Sequence, residues 1–250
     1  MKQQHQLSLS LVLVSLILLS LVVIVSAGNR ITQASDFAAP RDSAAAAVTW
    51  LYQENQNNDG GFGVDFGTGD PLSNIPSSVD ATLAISALGY NPDLPSFGAE
   101  KSVMDYLEDN AADLVTFAAT NGGSNGKVIL ALAAAKDNAR NFAGHDYVAQ
   151  LQGHYDPASG SYNNKNEKTP FNQGLALAAL AAVGEPVPPK ALEWLEDLQA
   201  PDGSWNDGFG TLQNPDATAM AIMGLLAGGR DVSAPTIQAA LGFLAGSQLD

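Results

Sequence analysis

Four alanine-rich, almost wholly apolar stretches recur along the chain, with starts about 43 to 47 residues apart. A helix that is apolar nearly all round is buried, so the pattern predicts four buried helices. Segments of a second kind mix a large apolar anchor with polar residues, which is typical of a helix with one wet face. The apolar stretches are residues 79–89, 126–136, 173–184 and 216–228, and the segments of the second kind are 47–54, 102–109, 191–199 and 240–248.

A glycine, a small residue and an aromatic residue mark the turn between the two kinds of helix in three places. Each of these turns comes after a glutamine and a polar stretch. The pattern predicts repeated hairpins, each with an outer amphipathic helix, a turn and an inner small-residue helix, and it predicts no sheet. The second copy, 118–126, keeps the glycines and lacks the aromatic residue. The three turns are Gly60-Gly61-Phe62, Gly160-Ser161-Tyr162 and Gly203-Ser204-Trp205.

An N-terminal segment of a different kind precedes the repeats. Residues 7–25 are apolar, Lys2 precedes them and Ser26-Ala27 follow, which is the pattern of a cleavable secretory signal. The stretch is also long enough to span a membrane, so an uncleaved anchor is the alternative. We therefore expect a secreted or cell-surface protein. Its predicted parts are a signal peptide or anchor at 1–27, a linker at 28–42 and a repeat domain at 43–250.

About four and a half hairpins make up the predicted repeat domain. The fifth stops where the first and fourth continue into their turns, so we expect either a chain cut off within a repeat or a lone capping helix. The repeats fall near 43–90, 98–141, 143–184, 188–229 and 235–250.

The chain is strongly acidic, with 26 Asp and Glu against 11 Lys and Arg and a formal net charge of −15 at pH 7. Such a surface repels nucleic acid and anionic lipid, and the scattered arginines do not suit a diphosphate pocket. We expect no nucleic-acid partner, and contact with a membrane only through the N-terminal segment if it is uncleaved. The chain has no cysteine, which excludes disulfides and lipid attachment to cysteine.

The first turn lies in NNDGGFGVDFGTGD, residues 57–70, which has the composition of a calcium loop. Residues 60–66 fit one copy of a nonapeptide that binds calcium in β-helices, but that architecture needs neighbouring copies. Aligned as an EF-hand loop, the stretch places Phe66 at position 12, where a bidentate carboxylate is required. We therefore predict a plain turn, with no metal and no cofactor.

The fourth turn carries a family resemblance. Gln199, three residues, and then Gly203-Ser204-Trp205 behind Trp194 resembles the QW motif of squalene and oxidosqualene cyclases. Similar hairpins build the toroids of protein prenyltransferase β subunits, cobalamin carriers and complement thioester domains. The resemblance covers about residues 43–250 and implies an all-α fold, an α/α toroid of helical hairpins around a cavity, here as an incomplete or open ring. Because these relatives do unrelated things on one scaffold, the resemblance specifies fold rather than function.

The catalytic members of this superfamily carry residues that the chain lacks. Cyclases protonate an alkene with Asp-x-Asp-Asp, prenyltransferases hold zinc with Asp, Cys and His, and thioester domains need a Cys. The chain has neither Asp-x-Asp-Asp nor Cys. We therefore expect a non-catalytic module that binds a small molecule, a glycan or a protein. The alternatives are a divergent cyclase or prenyltransferase-like enzyme, and a structural spacer in a larger surface protein.

Asp80 and Asp216 each open an Asp-Ala-Thr sequence at the start of an inner helix, and on a toroid both could reach a ligand. Helix capping is the simpler explanation. Ser77 and Asp80 have the spacing of a capping box, and 214–216 correspond to N-cap, N1 and N2. If the chain is an enzyme, its candidate acids are Asp65, Asp80 and Asp216.

Two further candidate aspartates, Asp65 and Asp70, lie in the longest turn of the chain. Long loops often carry function, although polar turn chemistry is again the simpler explanation. His145 and His154 have no metal-ligand spacing with a carboxylate, so we expect both to be surface histidines.

The aromatic residues of the three turns complete the candidate ligand-binding set. They could form a platform for a ligand or a glycan. The favoured interpretation is a wedge between hairpins, the role that the resemblance implies, and it predicts that Trp205 is largely buried. The complete set is Phe62, Asp65, Asp70, Asp80, Tyr162, Trp205 and Asp216.

Overall fold

The chain is all-α in the part that the structure describes. A computed structural model describes residues 38–64, 72–96, 99–164, 167–208 and 213–247. These residues form ten α-helices and no strand, which confirms the predicted all-α fold class. The helices are α1 Ala38–Asn55, α2 Ile75–Ala87, α3 Val103–Asp109, α4 Ala111–Ala118, α5 Gly122–Ala135, α6 Tyr147–Gly153, α7 Pro170–Ala182, α8 Pro189–Glu196, α9 Pro215–Ala227 and α10 Pro235–Gly246.

Short polar residues cap several of the helices. Asn74 caps α2 by accepting a hydrogen bond from the backbone N–H of Ser77 at 2.9 Å. Asn214 caps α9 in the same way, and Asp216 then lies at N2, as predicted. The predicted capping box of Ser77 and Asp80 is wrong, because the cap lies three residues before Ser77 and Asp80 falls in the second turn of α2.

The four alanine-rich helices are α2, α5, α7 and α9, and glycines let three of them, α5, α7 and α9, pack backbone against backbone. A Cβ atom at Gly174 of α7 would overlap the carbonyl of Met220 in α9, and one at Gly224 would lie 2.7 Å from the Cα of Gly174. A Cβ at Gly126 of α5 would lie 2.8 Å from the carbonyl oxygen of Leu175 in α7. The close approach that the small residues predicted is therefore present.

Two of the four alanine-rich helices are buried on all sides, as predicted. Burial is uninterrupted over 173–180 in α7 and over 217–225 in α9. Helices α2 and α5 each keep a partly exposed stripe with a charged residue, Asp80 in α2 and Lys127 in α5. Because burying a charge is costly, these two helices stay partly wet, and the prediction of full burial is wrong for them.

The described residues group into two compact units. The first unit holds α1, α2 and α3 with the first aromatic turn, and the second holds α6 to α10 with the other two. Helix α1 begins at Ala38, within the segment predicted as a linker. Every described helix is too short or too polar to cross a bilayer, and residues 1–27 lie outside the described part. The units comprise 38–114 with 134–137, and 115–133 with 138–247, within the described ranges.

Candidate functional site

Trp205 shows how an aromatic turn is built. Its side chain is fully buried, and the indole N–H donates a hydrogen bond to the backbone carbonyl of Leu195 in α8 at 2.8 Å. Its backbone N–H donates to the hydroxyl of Thr218 in α9 at 3.0 Å. The predicted burial is confirmed, and these hydrogen bonds run to the two helices of the same hairpin.

A glutamine ties the fourth turn to the beginning of the next repeat and ties the first turn to the loop just before the next repeat. Gln199 donates to the carbonyl of the turn glycine at 3.0 Å and to the carbonyl of Thr236 in α10 at 2.8 Å. Gln56 donates to its turn glycine at 2.9 Å, and its side-chain oxygen accepts the N–H of Ser96 at 2.9 Å. Both turn glycines have a positive φ, and an added Cβ would overlap backbone of the next repeat, so only glycine fits there.

The third turn makes the same kind of hydrogen bonds, but its glutamine lies after the turn in the sequence, in α7, and not before it. Gln173 of α7 is fully buried and donates to the carbonyls of the turn glycine and of Ala191, both at 3.0 Å. It also accepts the backbone N–H of Tyr162 at 2.9 Å. When the three turns are aligned on the backbone hydrogen bond that closes each of them, Tyr155 occupies the position that holds glutamine in the other two. The predicted glutamine ahead of the turn is therefore not the one that serves the third turn.

The second repeat has no aromatic turn, and the glycines of 122–126 lie in α5 instead. An added Cβ on them would overlap atoms of the third repeat, so they serve close packing. Asn125 stands four residues after the helix cap, the position from which Ser78, Gln173 and Thr218 accept the N–H of a turn aromatic residue. Its side chain is fully buried, and neither its oxygen nor its nitrogen has a hydrogen-bond partner among the described residues.

The other two turn aromatics are also buried. The backbone N–H of Phe62 donates to the hydroxyl of Ser78 at 3.0 Å, and its ring meets Tyr52 edge-on with ring centroids 6.5 Å apart. The ring of Tyr162 lies 4.9 Å from that of Tyr155, and burial raises the pKa of its phenol. These contacts favour a packing role for the three aromatic residues over a ligand platform.

The four candidate aspartates divide between described and undescribed parts of the chain. Asp80 lies in α2 of the first unit and Asp216 at the start of α9 in the second, and both are half-buried. Asp65 and Asp70 lie outside the described residues. The roles predicted for these four residues in ligand binding or catalysis remain predictions.

The described end of the possible calcium loop is held by turn chemistry. One carboxylate oxygen of Asp59 accepts the backbone N–H of Gly61 at 3.0 Å and the hydroxyl of Ser73 at 2.7 Å. Within the described ranges, no group of three or more His, Asp or Glu side chains could hold a metal ion.

An open cleft of about 290 Å³ lies in the first unit, between α1 and the loop that follows α2. This volume is at the lower end of the usual range for ligand pockets. The described lining joins two tyrosine rings to neutral polar groups and carries no charged side chain. The lining residues are Val48, Thr49, Tyr52, Tyr90, Asn91, Leu94, Pro95 and Ser96.

The first aromatic turn fixes one wall of this cleft. Because Gln56 holds the backbone N–H of Ser96, the end of the loop is fastened to the residue that follows α1. Tyr90 and Leu94 on the same loop are exposed to solvent. Burial, with a smaller contribution from Tyr90, raises the pKa of Tyr52 to about 12, so its hydroxyl stays neutral and can donate a hydrogen bond.

None of the residues that line the cleft was predicted to bind a ligand. The prediction followed the repeated turns, whereas Tyr90 and Leu94 lie in a loop outside them. A signal was present in the sequence, since both are large apolar residues in a loop otherwise rich in glycine, proline, asparagine and aspartate.

His154 at the end of α6 also departs from its prediction as a surface residue. It is half-buried, and its Nε2 atom is buried without a hydrogen-bond partner. Burial holds the pKa of His154 below its ordinary value, and a hydrogen bond to the backbone of Ala118 opposes part of that effect.

No protein-family model matches the chain, and no curated protein matches it. The resemblance to the cyclase and prenyltransferase toroids therefore stays a prediction, and so does the arrangement of the hairpins in a ring.

Proposed function

We propose that the chain is a non-catalytic binding module, secreted or held at the cell surface, whose cleft in the first unit takes a small neutral ligand of the saccharide class. The observation that carries the proposal is the lining of the cleft. It combines two tyrosine rings with amide and hydroxyl side chains, and it has no charged group among its described residues.

The chemistry of a sugar matches such a lining. The C–H faces of a sugar ring pack on aromatic side chains, here Tyr52 and Tyr90, while its hydroxyls need donors and acceptors of the kind that Thr49 and Asn91 supply. A cleft of about 290 Å³ has room for a ligand of about one sugar ring. A neutral ligand is also compatible with a protein whose formal net charge is −15, which would repel an anionic one.

The protonation state of the lining supports binding rather than proton transfer. A general acid or base works best with a pKa near the operating pH. The pKa of Tyr52 is about 12, so this hydroxyl remains neutral at pH 7 and is suited to a fixed hydrogen bond.

The test is titration of the full chain with neutral mono- and disaccharides, followed by isothermal calorimetry and by saturation-transfer NMR. We expect a weak saturable interaction, with a Kd of about 0.1 to 1 mM, and a loss of about tenfold or more in Tyr90→Ala and Asn91→Ala. Leu72→Ala is the matched control, because Leu72 is 82 % exposed in the same unit and does not line the cleft. Unchanged binding in Tyr90→Ala, or no saturable signal with any sugar, contradicts the proposal.

A further inference from the structure

Helix α10 exposes leucines whose counterparts in α8 are buried. Residues 240–248 align with 191–199, so that Leu241 corresponds to Leu192 and Leu244 to Leu195. Leu192 is 4 % exposed and Leu195 is fully buried. Leu241, in contrast, is 41 % exposed, and Leu244 is only half-buried.

The fourth hairpin shows what covers this face in α8. The indole of Trp205 lies against α8 and donates its hydrogen bond to the Leu195 carbonyl at 2.8 Å. The side chain of Leu192 packs against Gly228, directly after α9. The cover is therefore an aromatic turn together with the end of the alanine-rich helix that follows it.

The composition of α10 also sets it apart from α8. Helix α8 carries three charged residues, whereas α10 carries none over its twelve residues. At the three charged positions of α8, α10 has alanine or glycine, and Val232 just before the helix is exposed as well. An uncharged helix with exposed leucines is typical of a surface that another polypeptide covers.

Among the described residues, a second folded copy of this chain has no free aromatic turn to place there. Phe62, Tyr162 and Trp205 are each at most 2 % exposed, because every one is already seated in its own hairpin. We propose that α10 is a docking surface for a polypeptide segment with a Gly-small-aromatic turn followed by an alanine-rich helix. The docked segment would cover Leu241 and Leu244 in the way that the fourth turn and α9 cover α8. This proposal does not depend on the saccharide cleft.

The chain itself supplies the probe. A fluorescein-labelled synthetic peptide with the sequence of residues 199–229 contains the fourth turn and α9, and its binding to the full chain is measured by fluorescence anisotropy. We expect saturable binding that weakens by about tenfold or more when the peptide carries Trp205→Ala, because an aromatic anchor dominates such interfaces. The same loss is expected when the full chain carries Leu241→Asp.

Leu241→Asp should leave the fold intact, since this residue is already 41 % exposed, and circular dichroism checks that point. Leu72→Asp is the control for an added charge at an exposed leucine elsewhere, and it should bind the peptide like the unaltered chain. Unchanged binding in Leu241→Asp overturns the proposal, because the peptide would then be exchanging with the native segment on α8. Absence of binding overturns it too. So does self-association of the chain, measured by analytical ultracentrifugation, if Leu241→Asp abolishes it, because a second copy would then be the partner.

Discussion

The third and fourth turns close with the same backbone bond and are held by different side chains. In both, the N–H that closes the turn donates to the carbonyl of the serine after the turn glycine at 2.8 Å. The fourth turn then uses two residues, Gln199 for the glycine carbonyl and Thr218 for the aromatic N–H. The third turn uses Gln173 for both, and this residue comes from the helix behind the turn.

The difference teaches that the repeat is defined by polar groups that need partners rather than by residue types at fixed positions. Buried backbone N–H and carbonyl groups are almost always paired. Any side chain that reaches them with an amide or hydroxyl can do so, and the third turn has moved this task to Gln173. A turn whose bonds are concentrated on one residue should be more sensitive to a single substitution than one that divides them.

The largest effect is expected at the aromatic residue that ends each of the two turns, Tyr162 in the third and Trp205 in the fourth. Trp205→Ala should cost about 3 to 5 kcal/mol of unfolding free energy, because it removes a fully buried ring and its hydrogen bond. Tyr162→Ala should cost less, since its ring is smaller. Urea denaturation measures both, with Trp50→Ala as the control, because Trp50 is exposed. A Trp205→Ala midpoint equal to that of the unaltered chain would contradict the packing role.

The next effect separates the two turns directly. Gln173→Ala leaves two carbonyls and one N–H without their partner and should cost about 3 kcal/mol, whereas Gln199→Ala leaves two carbonyls in a less buried place and should cost about 1 to 2 kcal/mol. Urea denaturation again supplies the numbers. Equal costs would show that concentrating the bonds on one residue has no consequence.

A double substitution sharpens this test. Gln173→Thr with Tyr155→Gln gives the third turn the side chains of the fourth. The double variant should therefore lose about 1 kcal/mol less unfolding free energy than the two single variants lose in sum. Strict additivity would mean that a glutamine at 155 cannot reach the glycine carbonyl.

Much of the fold follows from the sequence because it rests on local patterns. The alanine-rich stretches and the Gly-small-aromatic turns predict the helices and the burial of Trp205, since apolar periodicity and a positive φ at glycine are local requirements. The wrong capping box at Ser77 has a local cause as well. Asn74 is an equally good cap, and the sequence alone does not decide which of two nearby polar residues begins the helix.

Two features could not be predicted in the same way. One is that Gln173, and not a glutamine before the turn, serves the third turn, and the other is the cleft at Tyr90. Gln173 reaches the Ala191 carbonyl across 18 positions of chain, and the cleft depends on a loop that Gln56 fixes through Ser96, 40 positions away. Such contacts depend on how elements pack and leave no periodic trace in the sequence. The repeated turns leave such a trace, so the sequence predicts candidate ligand residues there and not at the cleft.

The second repeat extends the comparison to a position whose turn is missing. Asn125→Leu should raise the free energy of unfolding by about 1 to 2 kcal/mol, because it removes a fully buried amide with no partner among the described residues. Gln173→Leu is the matched control and should be destabilising, since the amide at that equivalent position has three partners. A loss of stability in Asn125→Leu would show that its amide is satisfied.

The smallest effect concerns pH and His154. This residue comes directly before Tyr155 in the third turn, and Leu198 comes directly before the equivalent Gln199 in the fourth. In the folded chain, burial holds the pKa of His154 below its ordinary value of 6.5. The unfolded chain therefore takes up a proton first as the pH falls below about 6.5, so stability that is present above this pH is lost as the pH falls toward the folded pKa.

His154→Leu gives the third turn the residue of the fourth and should reduce the fall in the urea midpoint between about pH 7.5 and pH 5.5. The aspartates with lowered pKa values, such as Asp156, titrate below this window and leave the comparison undisturbed. An equal fall in both proteins would place the pH dependence elsewhere in the chain.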